Sequence, residues 1–140
     1  MSSQANAPFV HNAWYQAAWS NEIGDTPFAR TLLNEEIVLF RDAGGCVHAL
    51  EDRCCHRATP LRLGEVVPEG LRCGYHGLTF GGDGMCVGIT GQAKIPKQAR
   101  VRSYPVVERQ EFVWIWMGDP GLADESAIVD YPWNDDHANW

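Results

Sequence analysis

Two pairs of cysteine and histidine at fixed spacing constrain this 140-residue chain more than any other feature. Cys54 and His56 have one residue between them, Cys73 and His76 have two, and sixteen residues separate His56 from Cys73. Thiolate and imidazole groups are soft or borderline metal ligands, and their arrangement in two matched loops is typical of a metal centre. The sequence therefore predicts a metal site formed by Cys54, His56, Cys73 and His76.

The mixed composition of each loop indicates which metal is bound. A 2Fe–2S cluster in which two histidines replace two cysteines at one iron requires two thiolates and two imidazoles. In two parallel loops, Cys54 and Cys73 would hold one iron, and His56 and His76 would hold the other. Structural zinc stays open as an alternative, although zinc fingers usually pair cysteine with cysteine and histidine with histidine.

The rest of the chain consists of short apolar runs separated by turns rich in glycine and proline, which predicts an all-β fold. We expect an antiparallel sandwich or barrel with a two-loop subdomain that binds the cluster. Turns are predicted at Asn34–Glu36 and at Gly81–Gly84. Trp114 and Trp116 should share one face of the last strand and pack in the core or at a subunit interface. The predicted strands are Trp14–Ala18, Arg30–Leu33, Ile37–Arg41, Cys46–Glu51, Leu71–Cys73, Leu78–Phe80, Met85–Val87, Val101–Tyr104, Val106–Glu108 and Phe112–Met117.

Charge and hydropathy exclude some classes of function. A formal net charge of −7 disfavours binding to nucleic acid, which requires clustered basic residues. No segment has the length and apolarity of a membrane span, and Met1–Pro8 does not resemble a signal peptide, so we expect a cytoplasmic protein. Arginines near the ligand loops alternate with carboxylates, which favours a solvated surface over a docking patch. These residues are Arg53, Arg57, Arg62, Arg72, Glu51, Asp52, Glu65 and Glu69.

Three of the five cysteines lie outside the predicted ligand set. In a reducing compartment these residues are not expected to form disulfide bonds. We predict that Cys46 and Cys86 are small apolar core residues. Cys55 stands between the two ligands of the first loop and is a candidate for a reactive thiol.

The segment Cys54–Phe80 resembles the Rieske iron–sulfur motif, Cys-x-His-Arg followed by Cys-x-Tyr-His-Gly-x-x-Phe, at every fixed position. Over essentially its whole length the chain is similar to the amino-terminal part of vanillate O-demethylase oxygenase subunits and their relatives, such as dicamba and toluenesulfonate monooxygenases. The resemblance implies that the cluster accepts electrons from a flavin- or ferredoxin-type reductase. It further implies delivery to a mononuclear non-haem iron in the catalytic domain of a neighbouring subunit of a homotrimer. Outside the motif the resemblance is carried by Trp14–Tyr15, Ala29–Thr31, Val101–Glu108 and Val113–Pro120.

The sequence departs from respiratory Rieske proteins at the residues that tune and brace the cluster. Those proteins have a serine and a tyrosine where this chain has Leu78 and Phe80, and their hydroxyls donate hydrogen bonds to sulfur. Without these donors we expect a reduction potential near the low end of the Rieske range, roughly −150 mV. The disulfide of those proteins is also absent, since Thr59 and Tyr75 occupy its positions. Packing must then hold the two loops together.

The mononuclear iron of the related oxygenases follows an Asp-x-x-His-x(4)-His pattern that this chain lacks, and Asn134–His137 does not fit it. We therefore expect a Rieske domain over residues 1–118 and, over residues 119–140, a linker toward a catalytic domain outside this chain. Alone, the chain would transfer electrons and hydroxylate nothing. A free-standing Rieske ferredoxin is the alternative, which the length of chain beyond Met117 disfavours. The sequence favours no particular substrate.

Overall fold

The computed structural model describes residues 12–55, 59–74, 77–89, 94–95 and 98–128. These residues form an all-β fold with short 3-10 turns and no α-helix, as predicted. No helix in this part of the chain is long and apolar enough to cross a membrane. The strands are β1 (Ala13–Trp19), β2 (Phe28–Leu32), β3 (Glu35–Arg41), β4 (Val47–Glu51), β5 (Glu65–Val67), β6 (Gly70–Arg72), β7 (Leu78–Phe80), β8 (Cys86–Ile89), β9 (Ser103–Tyr104), β10 (Val106–Arg109) and β11 (Phe112–Met117).

Antiparallel pairing arranges these strands into three sheets. Sheet A has the order β1-β11-β10, sheet B the order β2-β3-β4-β9, and sheet C the order β5-β6-β7-β8. Strands β4 and β9 are neighbours in sheet B through the pairs of Ala49 with Tyr104 and Leu50 with Ser103. All of sheet C and both predicted ligand loops lie between these two strands in the sequence. The candidate metal centre therefore belongs to an insertion into sheet B.

Strand β3 is buried on both faces and connects two hydrophobic cores. Ile37 and Leu39 belong to the core that includes residues of sheet A, whereas Val38 and Phe40 belong to the core that includes residues of sheet C. All four side chains are fully buried. Because side chains alternate along a strand, burial on both faces explains the continuous apolar run of β3. Sheet B is thus the middle layer between sheet A and the insertion.

The hairpin between β2 and β3 is tighter than predicted. Leu33 and Asn34 alone form the turn, with φ values of 51° and 64°. Positive φ at both central residues is the geometry of a two-residue hairpin turn whose twist matches that of its strands. Glu35 and Glu36 pair with Leu32 and Thr31. The predicted turn at Asn34–Glu36 was therefore wrong in its position, because two charged residues in a strand resemble a loop in the sequence.

The ten predicted strands are all present, with ends displaced by at most two residues. The glycine-rich turn after β7 is also confirmed, since Gly84 has a φ of +85° and its N–H donates to the carbonyl of Gly81. One strand was missed: β5 pairs with β6 through Val66 and Leu71. Two valines between a glycine and a proline are too short a run to predict a strand. The hydrogen bonds to β6 define β5 as a strand.

Trp114 and Trp116 are buried on one face of sheet A. The core that contains Ile37 and Leu39 lies on the opposite face of this sheet. The Trp116 ring meets the ring of Trp14 edge to face, with centroids 5.4 Å apart. The chain after β11 then covers this face. Trp116 Nε1 donates to the carbonyl of Asp119 at 2.7 Å, and Trp14 Nε1 donates to that of Asp124 at 2.8 Å. Residues 119–128 thus fold onto sheet A, and residues 129–140 lie outside the described residues.

Candidate metal centre

The two loops that carry the predicted ligands close with the same hydrogen bond. The backbone N–H of Cys54 donates to the carbonyl of Thr59 at 2.8 Å, and the N–H of Cys73 donates to the carbonyl of Leu78 at 2.7 Å. Each cysteine therefore opens a loop that returns five residues later. In the second loop Gly77 has a φ of +70°, a conformation that glycine adopts without steric cost. The matched closures give Cys54 and Cys73 equivalent positions.

Both cysteines are buried in the same hydrophobic core. Each is 2% exposed, and they share this core with Leu61, Leu71 and Phe80. Two buried thiols at equivalent loop positions fit one end of a cluster that binds two thiolates at the same iron. The predicted imidazole ligands, His56 and His76, lie outside the described residues. Among the residues that are described, no three metal-binding side chains lie together.

Close backbone contacts hold the two loops against each other. A Cβ atom built on Gly64 would overlap the carbonyl oxygen of Arg72, and one on Gly74 would lie 3.1 Å from the carbonyl oxygen of Leu63. Side chains at these glycines would force the loops apart. None of the five cysteines, all in the described part of the chain, forms a disulfide bond. The loops are therefore joined by packing, as predicted.

An ion pair between the buried carboxylate of Asp52 and the exposed guanidinium of Arg62 stabilises the first loop, and the sequence did not predict it. The side chain of Asp52 is 1% exposed, and it accepts hydrogen bonds from the backbone N–H of Arg62 at 2.8 Å and from Arg62 Nη1 at 2.6 Å. This carboxylate raises the pKa of the Arg62 guanidinium. Arg62 lies in the 3-10 turn Leu61–Leu63, so the pair fixes both ends of the loop. No spacing rule connects two charged residues ten positions apart, and the sequence predicts a solvated surface for both.

The three remaining cysteines differ from one another in environment. Cys86 is buried, which confirms its predicted place in the core. The same prediction was wrong for Cys46, which is exposed because it belongs to the turn before β4, where its N–H bonds to Asp42. Cys55 is exposed, but desolvation, and to a lesser degree the nearby Cys86 thiol, raises the pKa of its thiol. Its reactivity stays a prediction.

Comparison with known protein families matches residues 13–105 to the Rieske [2Fe-2S] domain. The chain therefore belongs to the Rieske [2Fe-2S] domain family. Its cofactor is a 2Fe–2S cluster, as the composition of the loops predicted, and structural zinc is no longer needed to explain the ligand set.

Similar proteins of known activity are Rieske oxygenase components. The chain is 54% identical to the toluene-4-sulfonate monooxygenase system iron-sulfur subunit of Comamonas testosteroni, covering 91% of this chain and 37% of that protein. It is 48% identical to the oxygenase component of dicamba O-demethylase from Stenotrophomonas maltophilia, covering 88% and 37%. The crystal structure of dicamba monooxygenase bound to dicamba superimposes with a TM-score of 0.89 at 46% identity, covering 93% and 39%. The chain thus spans little more than a third of these relatives, and the predicted resemblance is confirmed.

Proposed function

We propose that the chain is the electron-transfer domain of a Rieske oxygenase component of the monooxygenase or demethylase type. It would accept electrons from a reductase and pass them to a mononuclear iron in a catalytic domain outside this chain. The observation that carries the proposal is the pair of buried cysteines in two identically closed loops, on a chain whose relatives are oxygenase components. Those relatives also favour this function over a free-standing ferredoxin.

The proposed ligands are Cys54 and Cys73 at one iron and His56 and His76 at the other. When bound, such a cluster exchanges single electrons at a potential set by its ligands and by hydrogen bonds to its sulfurs. The burial of Cys54 and Cys73 supports this arrangement, because it excludes water from the thiolate side. The backbone closures fix the Cα positions of both cysteines, so little reorganisation is needed for ligation. The remaining loop residues would present the imidazole side.

The proposed partners follow from the role of the cluster, which receives electrons from one protein and passes them to another. A flavin- or ferredoxin-type reductase would donate electrons, and the catalytic domain of a neighbouring subunit in a homotrimer would accept them. A solved complex of a carbazole 1,9a-dioxygenase oxygenase with its ferredoxin resembles the chain with a TM-score of 0.68 at 32% identity and covers 78% of it, which supports a protein donor. We also propose a cytoplasmic location and a linker role for residues 119–140, a linker whose first ten residues lie against sheet A.

The reduction potential is expected to lie near roughly −150 mV, the low end of the Rieske range. Leu78 and Phe80 are both buried beside the ligand loops and carry no hydroxyl that could donate to a cluster sulfur. The reduced, more negative state therefore lacks a stabilising hydrogen bond. Mediated redox titration measures this potential directly. A potential above about +100 mV would contradict the inference that the absence of hydroxyl groups at Leu78 and Phe80 lowers the potential.

Electron paramagnetic resonance of the dithionite-reduced protein, with iron and zinc counted on the same sample, tests the proposed ligand set. We expect a rhombic signal with an average g value below that of all-cysteine clusters, and two irons per chain. Replacing His76 by cysteine should move the average g value toward the all-cysteine type. A signal of the all-cysteine type in the unaltered protein would refute histidine ligation.

A further inference from the structure

The two loops that carry the predicted ligands differ in how their ends are held. The second loop, which begins at Cys73, is the tip of a hairpin, because β6 and β7 pair directly before and after it. In the described part of the chain the ends of the first loop are not paired strands: residues 52–53 form a bend, and Leu61–Leu63 form a 3-10 turn. A backbone ladder therefore supports the second loop, and the first loop depends more on contacts made by side chains.

Asp52 connects the first loop to sheet B and joins the two ends of the loop. Its backbone N–H donates to the carbonyl of Glu36 at 3.0 Å, which extends the pairing of β3 with β4 by one residue. Its carboxylate accepts from the backbone N–H of Arg62 at 2.8 Å, on the returning side of the loop. This second bond does not depend on the side chain at position 62. One residue thus joins β3 to both ends of the loop that contains Cys54.

The surroundings of this carboxylate are apolar. Asp52 and Thr79 are the two polar residues that are buried among the described residues. Leu61, next to Arg62, is fully buried, and so is Leu50, two residues before Asp52. Burial of a charge costs free energy that an ion pair often only just offsets, and apolar side chains in the same place are frequently as stable or more stable. Stability alone therefore does not explain a carboxylate at this position.

The guanidinium of Arg62 compensates the charge of this carboxylate. Its Nη1 atom lies 2.6 Å from the carboxylate of Asp52 and 3.7 Å from that of Glu36. Asp52 is two residues from Cys54 in the sequence, and a negative charge disfavours a second one nearby. With Arg62 in place, the carboxylate can hold the geometry of the loop without adding an uncompensated negative charge beside a thiolate.

We propose that Asp52 is the positioning residue of the first ligand loop. Its carboxylate fixes the distance between residues 52 and 62, and this distance determines where Cys54 lies when the cluster binds. Arg62 takes part mainly through its backbone N–H, and its guanidinium neutralises the carboxylate. The inference rests on the proposed function, in which Cys54 is a ligand, and it adds a residue that acts through the backbone and not on the iron.

The chain contains a matched control beside the second loop. Glu65 and Arg72 form the same kind of ion pair, with 3.0 Å between Oε1 and Nη1, and Arg72 directly precedes Cys73. Both side chains are exposed, so the predicted solvated surface is correct for this pair and wrong for Asp52. The two residues also face each other on the paired strands β5 and β6. Glu65→Ala therefore removes the same charge where a backbone ladder already holds the loop.

The test compares Asp52→Ala with Glu65→Ala in the cluster-loaded protein. Hydrogen exchange is measured by mass spectrometry in peptides that contain the amide of Cys54 or that of Cys73. Asp52→Ala should accelerate exchange about tenfold in the first loop and less than about twofold in the second. It should also accelerate the loss of iron to a chelator about tenfold. Glu65→Ala should change each of these rates by less than about twofold.

Asp52→Asn separates the hydrogen-bond acceptor from the charge, and it replaces the alanine variant if that variant fails to fold. The amide oxygen of asparagine can still accept from the backbone N–H of Arg62. Exchange in the first loop and the loss of iron should therefore rise only about threefold. The change in exchange should again be confined to the first loop.

Equal acceleration of exchange in both loops would overturn the proposal, because Asp52 would then act on overall stability alone. So would an effect of Glu65→Ala as large as that of Asp52→Ala, which would mean that net charge is responsible. Exchange in the loops does not depend on which side chains bind the irons, so it decides the role of Asp52 even if the resonance spectrum refutes histidine ligation. In the opposite case, the expected spectrum of the unaltered protein, together with equal exchange in both loops of the variants, would leave the proposed function intact and remove the role of Asp52.

Discussion

The body formed by sheets A and B and the insertion that carries sheet C are stabilised in different ways. Strands β1 and β3 of the body have seven residues each, and side-chain hydrogen bonds such as those of Arg41 connect its elements. The strands of sheet C have three or four residues, and the insertion depends on glycine contacts and on a core that includes two thiols. From this comparison we expect the body to be stable through its own packing and the insertion to require its cofactor.

Removal of the cluster should produce the largest difference in stability between the insertion and the body. Because metal binding contributes directly to the folding of the site that holds it, chelation should lower the opening free energy of the insertion by several kcal/mol. Hydrogen exchange of the amides in β6 and β7 should then accelerate strongly, whereas the amides of β3 and β11 should keep their protection. Equal acceleration in sheet A would mean that the body is not independent. Reconstitution with iron and sulfide should restore the original exchange rates.

Gly64→Ala should produce the second-largest effect and confine it to the insertion. The added Cβ atom would overlap the carbonyl oxygen of Arg72, which is backbone and has no rotamer to change. We expect a loss of about 3 kcal/mol in the free energy of unfolding, together with poor retention of the cluster. The control is Gly24→Ala, since a Cβ atom on Gly24 meets nothing within 4 Å. Denaturant titration and the iron content of both variants provide the measurement.

The body was easier to predict from the sequence than the insertion, for a physical reason. Five of its seven strands have five to seven residues, which is long enough for an alternating pattern or, as in β3, a continuous apolar run between turns, and both patterns are local. The two loops that begin at Cys54 and Cys73 were also predictable, because a metal requires particular side chains at a particular spacing, and the assignment of His56 and His76 as ligands stays a prediction. Strand β5 was not predictable, since two valines acquire their conformation from the partner strand β6.

Interactions between distant residues could not be predicted in the same way. The burial of Asp52 depends on the 3-10 turn that places Arg62 against it, and nothing near Asp52 in the sequence indicates this. Similarly, an apolar composition cannot distinguish the buried Cys86 from the exposed Cys46, because a turn residue is exposed whatever its hydropathy. Properties that depend on residue type could therefore be predicted from the sequence. The burial and pairing that depend on tertiary contacts could not.

Arg41→Ala should destabilise the body and leave the cluster unchanged. Its guanidinium donates to the carbonyl oxygens of Ile23, Ser20 and Gly45 and to both carboxylate oxygens of Glu108. Loss of these bonds should cost about 2 kcal/mol. Arg109→Ala, which removes a single bond to the carbonyl of Glu125, should cost less than about 0.5 kcal/mol. A change in the reduction potential of the Arg41 variant would show that the two regions are coupled.

Glu108→Gln should have the smallest effect, and its dependence on pH identifies the cause. The Arg41 guanidinium, at 3.0 Å and 2.8 Å from the two carboxylate oxygens, holds the pKa of Glu108 below its usual value. A lowered pKa in the folded state contributes stability above the ordinary value of about 4.3, and this contribution is lost as the pH falls through the lowered pKa. Because the carboxylate is one-third exposed, solvent screening limits the effect to about 1 kcal/mol at neutral pH.

The measurement for Glu108→Gln is thermal unfolding of both proteins between neutral and acidic pH. The stability difference should be constant above about pH 5 and should vanish in acid, where both side chains are neutral. In the background of Arg41→Ala the same substitution should have little effect at any pH, because the charged partner of the carboxylate is gone. A stability difference that persisted in acid would mean that Glu108 acts through packing. The ion pair between sheets A and B would then contribute nothing to the stability of the body.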